Sequence, residues 1–549
     1  MDIMTLRNYE SLGPFEIKNF LAEAASKGAK DSAKAYLNAG RGNPNWVATE
    51  PREAFFTLGH FAVQETKRVM DVPPGVGGIP RVDGSAERLR AWLDKHADLP
   101  GSAFLSEMVP WAVKKFGFKP DAFVGELVDS IIGDHYPEPD RMLHHNEIVV
   151  REYLQWAMVG EPRPKGDFKL YAVEGGTAAM CYTFKSLKNN RLLNAGDTIA
   201  LGVPIFTPYL EMPHLEDYDL QIVPIHAPQE NRFQFTDAEL DKLLDPKIKA
   251  FFVVNPGNPS AMAISDEVIA KIGEILKKRP ELLLLTDDVY GTFVPGFRSL
   301  LGAYPRNTIG VYSYSKYFGC TGWRLGVIAV HEDNIFDEQI AAHDAATLAK
   351  LDKRYGTLTP HPREIKFIDR IVADSRDVAL NHTAGLSTPV QVQMVFFSLF
   401  SLMDEPQAYK ASMKRIVSRR KQALYKELGL PMPVNPDSVS YYHLLDMEDI
   451  ATQLHGKDFA AWVVKKMRPN EVLFRLAQET SVVLLPGRGF GSDHASGRVS
   501  LANLNEYDYA AIGAAVRRIA QEYFEIFKKE KGGGGSTASA RTAGKKGKK

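Results

Sequence analysis

The chain has 549 residues, too many for one hydrophobic core, so two or more domains are expected. Lys+Arg and Asp+Glu balance at 67 each, but residues 531–549 hold six basic residues and no acidic one, which leaves the body at 61 against 67, a net charge of −6. With 44% hydrophobic residues, 24% charged and only Cys181 and Cys320, the chain has no basic nucleic-acid-binding body, disulfide framework or C-x-x-C metal site.

The opening MDIMTLRNYESLGPF lacks the basic and apolar stretches of a signal peptide, and no apolar run reaches membrane-spanning length. A cytoplasmic protein, with its thiols in a reducing compartment, is expected. From about Pro14 the apolar spacing of FEIKNFLAEAASK predicts a helix. The loop YLNAGRGNPNWVA follows, with Arg41, Asn45 and Trp46, and its glycines let backbone and ligand approach closely. Residues 52–165 read as mostly helical, divided by DVPPGVGGIPRVDG, and residues 71–130 read as a helical insertion. Tyr136 stands in the Pro-rich turn DHYPEPDRML. His144 and His145 are adjacent, so they do not share a helix face, and no metal is expected there.

From residue 169 short apolar runs rich in β-branched residues alternate with helical stretches: FKLYAV, DTIALGVPIF, LQIVPI, IKAFFVV, ELLLLT, TIGVYS and RLGVIAV. This predicts an α/β fold with a seven-stranded, mostly parallel sheet flanked by helices, and catalytic loops at the carboxyl ends of the strands. Helical patterns follow, then a smaller α/β domain with SYYHLLDM, SVVLLPG and GRVSLAN as strands. The expected organisation is an N-terminal arm over 1–50 packing with the small domain and a helical region over 51–165. A large domain over 166–400, a small domain over 401–530 and a disordered basic tail over 531–549 complete it.

One stretch carries the chemistry: SYSKYFGCTGWRLG, Ser313 to Gly326. Lys316 sits in a strand-to-strand connection, where reactive groups are usually presented. An amine held so that it can lose its proton is a covalent catalyst for carbonyl groups. Ser313, Ser315 and Arg324 are the donors that a phosphorylated cofactor needs beside it.

This stretch resembles the lysine motif of fold-type-I pyridoxal phosphate (PLP) enzymes in the aspartate aminotransferase family, with Cys320 where that family usually has an aliphatic residue. Further motifs fall in the order that fold requires. In EGGTAAM, Gly176 and Thr177 resemble the phosphate-binding turn that opens a helix. In VPIFTPY, Phe206 stands where the family stacks a ring on the pyridine. In NPGNPS, Asn258 corresponds to the residue bonded to the cofactor's phenolic oxygen. In LLLLTDDVY, Asp287 corresponds to the carboxylate that keeps the pyridine nitrogen protonated, and Tyr290 to a second partner of the phenolic oxygen. Asp288 reads as an outward-facing neighbour. In SGRVSLAN, Arg498 corresponds to the guanidinium that grips the substrate α-carboxylate.

The resemblance implies that Tyr136 reaches the phosphate of a second copy's cofactor, hence a homodimer at least, with a larger assembly of dimers compatible. The helical insertion, GRGNPNW, GDHYPEPDRML and HTAGLSTPVQVQM resemble the β-decarboxylating branch of the family. That branch implies decarboxylation of L-aspartate to L-alanine and CO2 with a side aminotransferase activity on 2-oxo acids. An aminotransferase without significant decarboxylase activity is the alternative. No counterpart of the usual distal-carboxylate Arg is visible in ALNHTAGLSTP, and Arg41 and Lys18 are the candidate contacts there. A nicotinamide dehydrogenase would need a G-x-G-x-x-G after the first strand, and a PLP-fold regulator would need a basic helix-turn-helix head; neither is visible.

Overall fold

All seven runs predicted as strands enter one sheet in the computed structural model, which describes residues 14–32, 36–136, 140–215, 217–376, 385–468, 470–492 and 495–533. The strands are β1 (Phe168–Val173), β2 (Thr198–Val203), β3 (Gln221–His226), β4 (Ile248–Val254), β5 (Leu283–Asp287), β6 (Thr308–Ser313) and β7 (Gly326–His331), in the spatial order β1-β7-β6-β5-β4-β2-β3. Pairing is parallel from β6 through β5, β4 and β2 to β3; β7 runs antiparallel to both β6 and β1. Alternate residues feed two cores. Phe252, Val254, Leu283 and Leu285 pack on one face, and Phe251, Val253, Leu282 and Leu284 on the other. Both faces are covered, which explains why these strands read as continuous apolar runs.

The chain divides into two compact units, one of residues 43–415 with 436–439, the other of 1–42, 416–435 and 440–549. In the larger, helices α1 (Glu50–Val69), α2 (Ser85–Lys95), α3 (Ser102–Phe116), α4 (Pro120–Ile132) and α5 (His144–Leu154) precede the sheet, and α6 (Gly176–Asn189) follows β1. The Asp121 carboxylate at the start of α4 accepts from the N–H groups of Gly84 and Ala86 at the start of α2, 2.8 and 3.0 Å away, which ties that helical region together.

In the smaller unit, helix Pro14–Ser32 buries Ile17, Leu21 and Ala25 in the same core as Leu424, Leu445, Phe474, Val499 and Ile512. Strand Leu37–Asn38 pairs with Val482–Val483, and Tyr442–Asp446, Ser496–Ser500 and Leu485–Pro486 form an antiparallel sheet. No helix among the described residues is long and apolar enough to cross a membrane. Residues 531–533, expected to open the disordered tail over 531–549, belong instead to the C-terminal helix Glu506–Gly533; residues 534–549, residues 137–139 of the Pro-rich turn and residues 377–384 lie outside the described residues.

Candidate active site

Sheet topology gathers the sequence motifs at one edge. The parallel strands β4, β5 and β6 end side by side, with Asp287 paired to Val254 and to Val311. Because β7 is antiparallel, its beginning, not its end, lies at that edge: Gly326 pairs with both Ser313 and Val173. The loops carrying Asn258, Asp287, Lys316 and Arg324 and the start of α6 therefore meet at the carboxyl edge of a doubly wound sheet, where ligands bind.

Gly175 precedes α6 with φ +93°, a backbone conformation that favours glycine, and the Arg324 guanidinium sits where a Cβ would come within 2.5 Å of Nη2. Arg324 donates to the carbonyls of Glu174 (3.1 Å) and Thr321 (2.9 Å). The side of Gly176 that a Cβ would occupy packs against Ser313 and Asp287: a Cβ there would lie 3.7 Å from Ser313 Cβ and 3.9 Å from Asp287 Oδ2. Ser313 Oγ lies 3.0 Å from Ser315 Oγ. Thr177 is exposed at the helix start.

Asp287 is buried. Its Oδ2 accepts the Tyr209 hydroxyl at 2.7 Å and its Oδ1 the Val289 N–H at 3.2 Å. Burial pushes its carboxyl up, against those two bonds and the positive charge of Lys316. Lys316 is partly exposed between buried Ser315 and Tyr317, and burial pushes the nearby Cys320 thiol up to about 12, so it packs as an uncharged small residue. Asn258 and Tyr290 are buried, and Phe206 is partly buried with its ring edge-on to Tyr209.

Asp288 does not face outward. It is fully buried, accepting from Thr286 Oγ1 at 2.6 Å and from Ser299 Oγ. The alternation that sends Asp287 to one face sends Asp288 to the other, but that face is covered too, and Ser299 caps the helix Leu300–Ala303 there. Burial, with the charge of Asp287 adding to it, raises its carboxyl to about 8. The folded protein thus keeps this proton up to about pH 8, whereas the unfolded chain releases it near the ordinary 3.8, so stability falls as pH rises through that window. In Asp288→Asn that loss disappears. Thermal unfolding at about pH 5 and pH 8 should show the variant gaining on the wild type at the higher pH. A constant difference would mean that Asp288 is ionised in the fold.

In the smaller unit three cations predicted to bind substrate come together. Arg498 is buried, its guanidinium over the rings of Tyr442 (4.2 Å) and Phe490 (4.9 Å), and Nη2 donates to Gly40 O at 2.8 Å. Lys18 is pushed down by burial and then by the charges of Arg41 and Arg498. The nearby Glu16 acts on Lys18 in the opposite sense. Tyr136 is 67% exposed. Sequence reading missed Tyr209, Tyr442 and Phe490. The Phe206–Tyr209 spacing of one helical turn is a usable signal for the first. No local signal marks the other two, which meet Arg498 only through the strand pairing and the turn Gly487–Phe490.

A doubly wound sheet with an amine, a buried carboxylate and a glycine-rich helix start at its carboxyl edge is the architecture of the aminotransferases. A Thermus thermophilus aspartate aminotransferase variant superposes with TM-score 0.56 at 16% identity, over 90% of this chain and 95% of that one. An aromatic aminotransferase from Pyrococcus horikoshii gives 0.56 at 16% over 91% and 99%. The model of the aminotransferase class I and II family matches residues 172–516, and the chain belongs to that family. More specifically, it is 52% identical over 524 residues to the bifunctional aspartate aminotransferase and L-aspartate beta-decarboxylase of a Pseudomonas species, covering 95% of this chain and 98% of that protein.

Proposed function

We propose that this protein is a PLP-dependent enzyme that decarboxylates L-aspartate at its β-carboxylate, giving L-alanine and CO2, and also transaminates aspartate with 2-oxo acids. The 52% identity to the Pseudomonas enzyme across 95% of the chain carries the reading. The site's donors fit the cofactor: the helix start at Gly176, the hydroxyls of Ser313 and Ser315 and the Arg324 guanidinium suit a phosphate, and buried Asp287 suits a ring N–H. In this reading Ser313, Ser315, Gly176, Thr177 and Arg324 hold the phosphate. Asn258 and Tyr290 bond the phenolic oxygen, Phe206 covers the ring and Lys316 carries the carbonyl carbon. Tyr136 serves the phosphate in a second copy, so the working unit is a cytoplasmic homodimer or an assembly of dimers.

When bound, PLP supplies an aldehyde for the substrate amine and a ring that draws electrons from bonds at Cα and Cβ. Lys316 Nζ takes the proton from Cα and later returns it. Asp287 holds the proton of the ring nitrogen. Arg498 grips the α-carboxylate in both reactions. As the Cβ–Cγ bond breaks, CO2 leaves and the bond's electron pair ends in a new Cβ–H bond, so aspartate and one proton give alanine and CO2. Arg41 and Lys18 receive the distal carboxylate. A loose hold there favours its loss, because a strong ion pair stabilises the charge that must disappear. Arg41 stands exposed in a Gly-flanked loop; closure of that loop on bound substrate would exclude water, the reagent of the transaminase path.

The test is incubation with aspartate alone. CO2 and alanine should form in equal amounts, while a keto acid without CO2 would favour the plain aminotransferase. Arg41→Ala should raise the ratio of keto acid to alanine. A discrimination change of ~1.4 kcal/mol reads as a tenfold shift. Equal loss of both products would leave Arg41 a binding residue only.

A further inference from the structure

The chain after Lys316 is held from outside its own turn. Three successive carbonyls accept from the segment 46–52. Tyr317 O accepts the Trp46 indole N–H at 3.1 Å. Phe318 O accepts the Ala48 N–H and Arg52 Nη1, both at 3.2 Å. Gly319 O accepts Arg52 Nη2 at 2.8 Å. Gly319 has φ +61°, and a Cβ on it would come 1.8 Å from the Trp46 carbonyl oxygen, so the two backbones touch.

Arg52 sits in the first turn of α1, where the helix dipole disfavours a cation, and it is partly buried. Its guanidinium lies over the Phe397 ring at 5.0 Å and spends Nη1 and Nη2 on the carbonyls of Ala48, Phe318 and Gly319. A cation in such a place is stabilised only if those carbonyls are where it needs them, so it constrains them in return.

We propose that Trp46–Arg52 is a positioning strap for the lysine turn, with Arg52 its main donor, setting the backbone from which Lys316 projects. This rests on Lys316 being the catalytic lysine. Trp46 and Arg52 both act on the turn through the carbonyls of residues 317–319.

The experiment compares Arg52→Met, Arg52→Lys and Trp46→Phe with Arg279→Met. Arg279 is a matched control: it is buried and donates to the carbonyls of Leu243, Asp245 and Ile248, outside the lysine turn. In the holoenzyme kcat, KM for aspartate and the pH midpoint of the lysine-dependent visible band are measured. In cofactor-free protein, amide exchange over residues 317–320 is measured. Arg52→Met should lower kcat by on the order of 10–100-fold with KM within about threefold. It should also shift the midpoint by about half a pH unit and speed exchange at 317–320. Arg52→Lys should fall between. Arg279→Met should lose thermal stability but keep kcat and midpoint.

A wild-type midpoint and exchange in Arg52→Met would overturn the strap, as would losses no larger than those of Arg279→Met at equal stability. If Arg52→Met does not fold, Trp46→Phe, which removes the indole donor and part of the ring packed on Phe293, should show smaller changes of the same sign, and no change there would overturn it. Failure of the underlying reading looks different: the wild type itself would lack a visible band that depends on Lys316.

Discussion

Lys316→Ala is expected to fold, to lose the visible absorption that depends on a lysine-bound cofactor, and to lose both decarboxylation and transamination. The turn survives because backbone bonds hold it: Phe318 N–H donates to Tyr314 O at 3.3 Å and Cys320 N–H to Ser315 O at 3.0 Å, besides the bonds from Trp46 and Arg52. In the proposed reaction activity goes because one amine is given two tasks, carrying the carbonyl carbon and moving the Cα proton. The proton transfer alone is worth roughly 10²–10⁴-fold. Lys316→Arg should be equally inactive, since a guanidinium keeps the charge but does not give up its proton. The measurements are visible spectra, alanine and keto-acid formation, and circular dichroism. An Ala variant with the wild-type spectrum would remove Lys316 from the mechanism.

Asp287→Ala is expected to fold, bind PLP weakly and turn over more slowly by ~2–4 kcal/mol of barrier, roughly 30- to 900-fold. The carboxylate ends β5, after three leucines and Thr286, and its burial is offset by Tyr209, Val289 and the charge of Lys316. Such an environment suits a carboxylate whose partner is a bound cation, here the protonated ring nitrogen. Removing it leaves that nitrogen without a counter-charge and the ring a poorer electron sink. Tyr209 then faces an empty position in a buried site, which contributes to the loss of affinity. Titrating cofactor-free variant with PLP and measuring steady-state turnover checks both parts. Near-normal turnover at saturating PLP would mean that Asp287 is only a packing residue.

Sequence reading went furthest where a rule is local. Strand existence followed from apolar β-branched runs, and FKLYAV, IKAFFVV and TIGVYS form strands over their full length. The motifs EGGT, NPGNPS, TDDVY and SYSK were legible because each sits within a few residues of a strand end. Their chemistry depends on residue type: an amine, a carboxylate after an apolar run, a glycine pair opening a helix.

Asp288 marks where that reading stops. Alternation correctly separates it from Asp287, yet the second face of the sheet is covered by the helix after Ser299 and not by water. A strand's sequence states which residues share a face; only the layers packed on the sheet decide what that face meets. The antiparallel course of β7, which brings Arg324 to the edge where the parallel strands end, is likewise a matter of pairing over long separations.

The sequence by itself determined the family and the order of its motifs along the chain, because these depend on side-chain chemistry and short-range spacing. The tertiary structure alone decided which groups support them: Tyr209 on Asp287, Tyr442 and Phe490 on Arg498, and Arg52 on the carbonyls after Lys316. The physical reason is that a buried polar group takes whichever partner the folded chain delivers, and Arg52 meets Gly319 across 267 residues with no pattern at either position that announces the other.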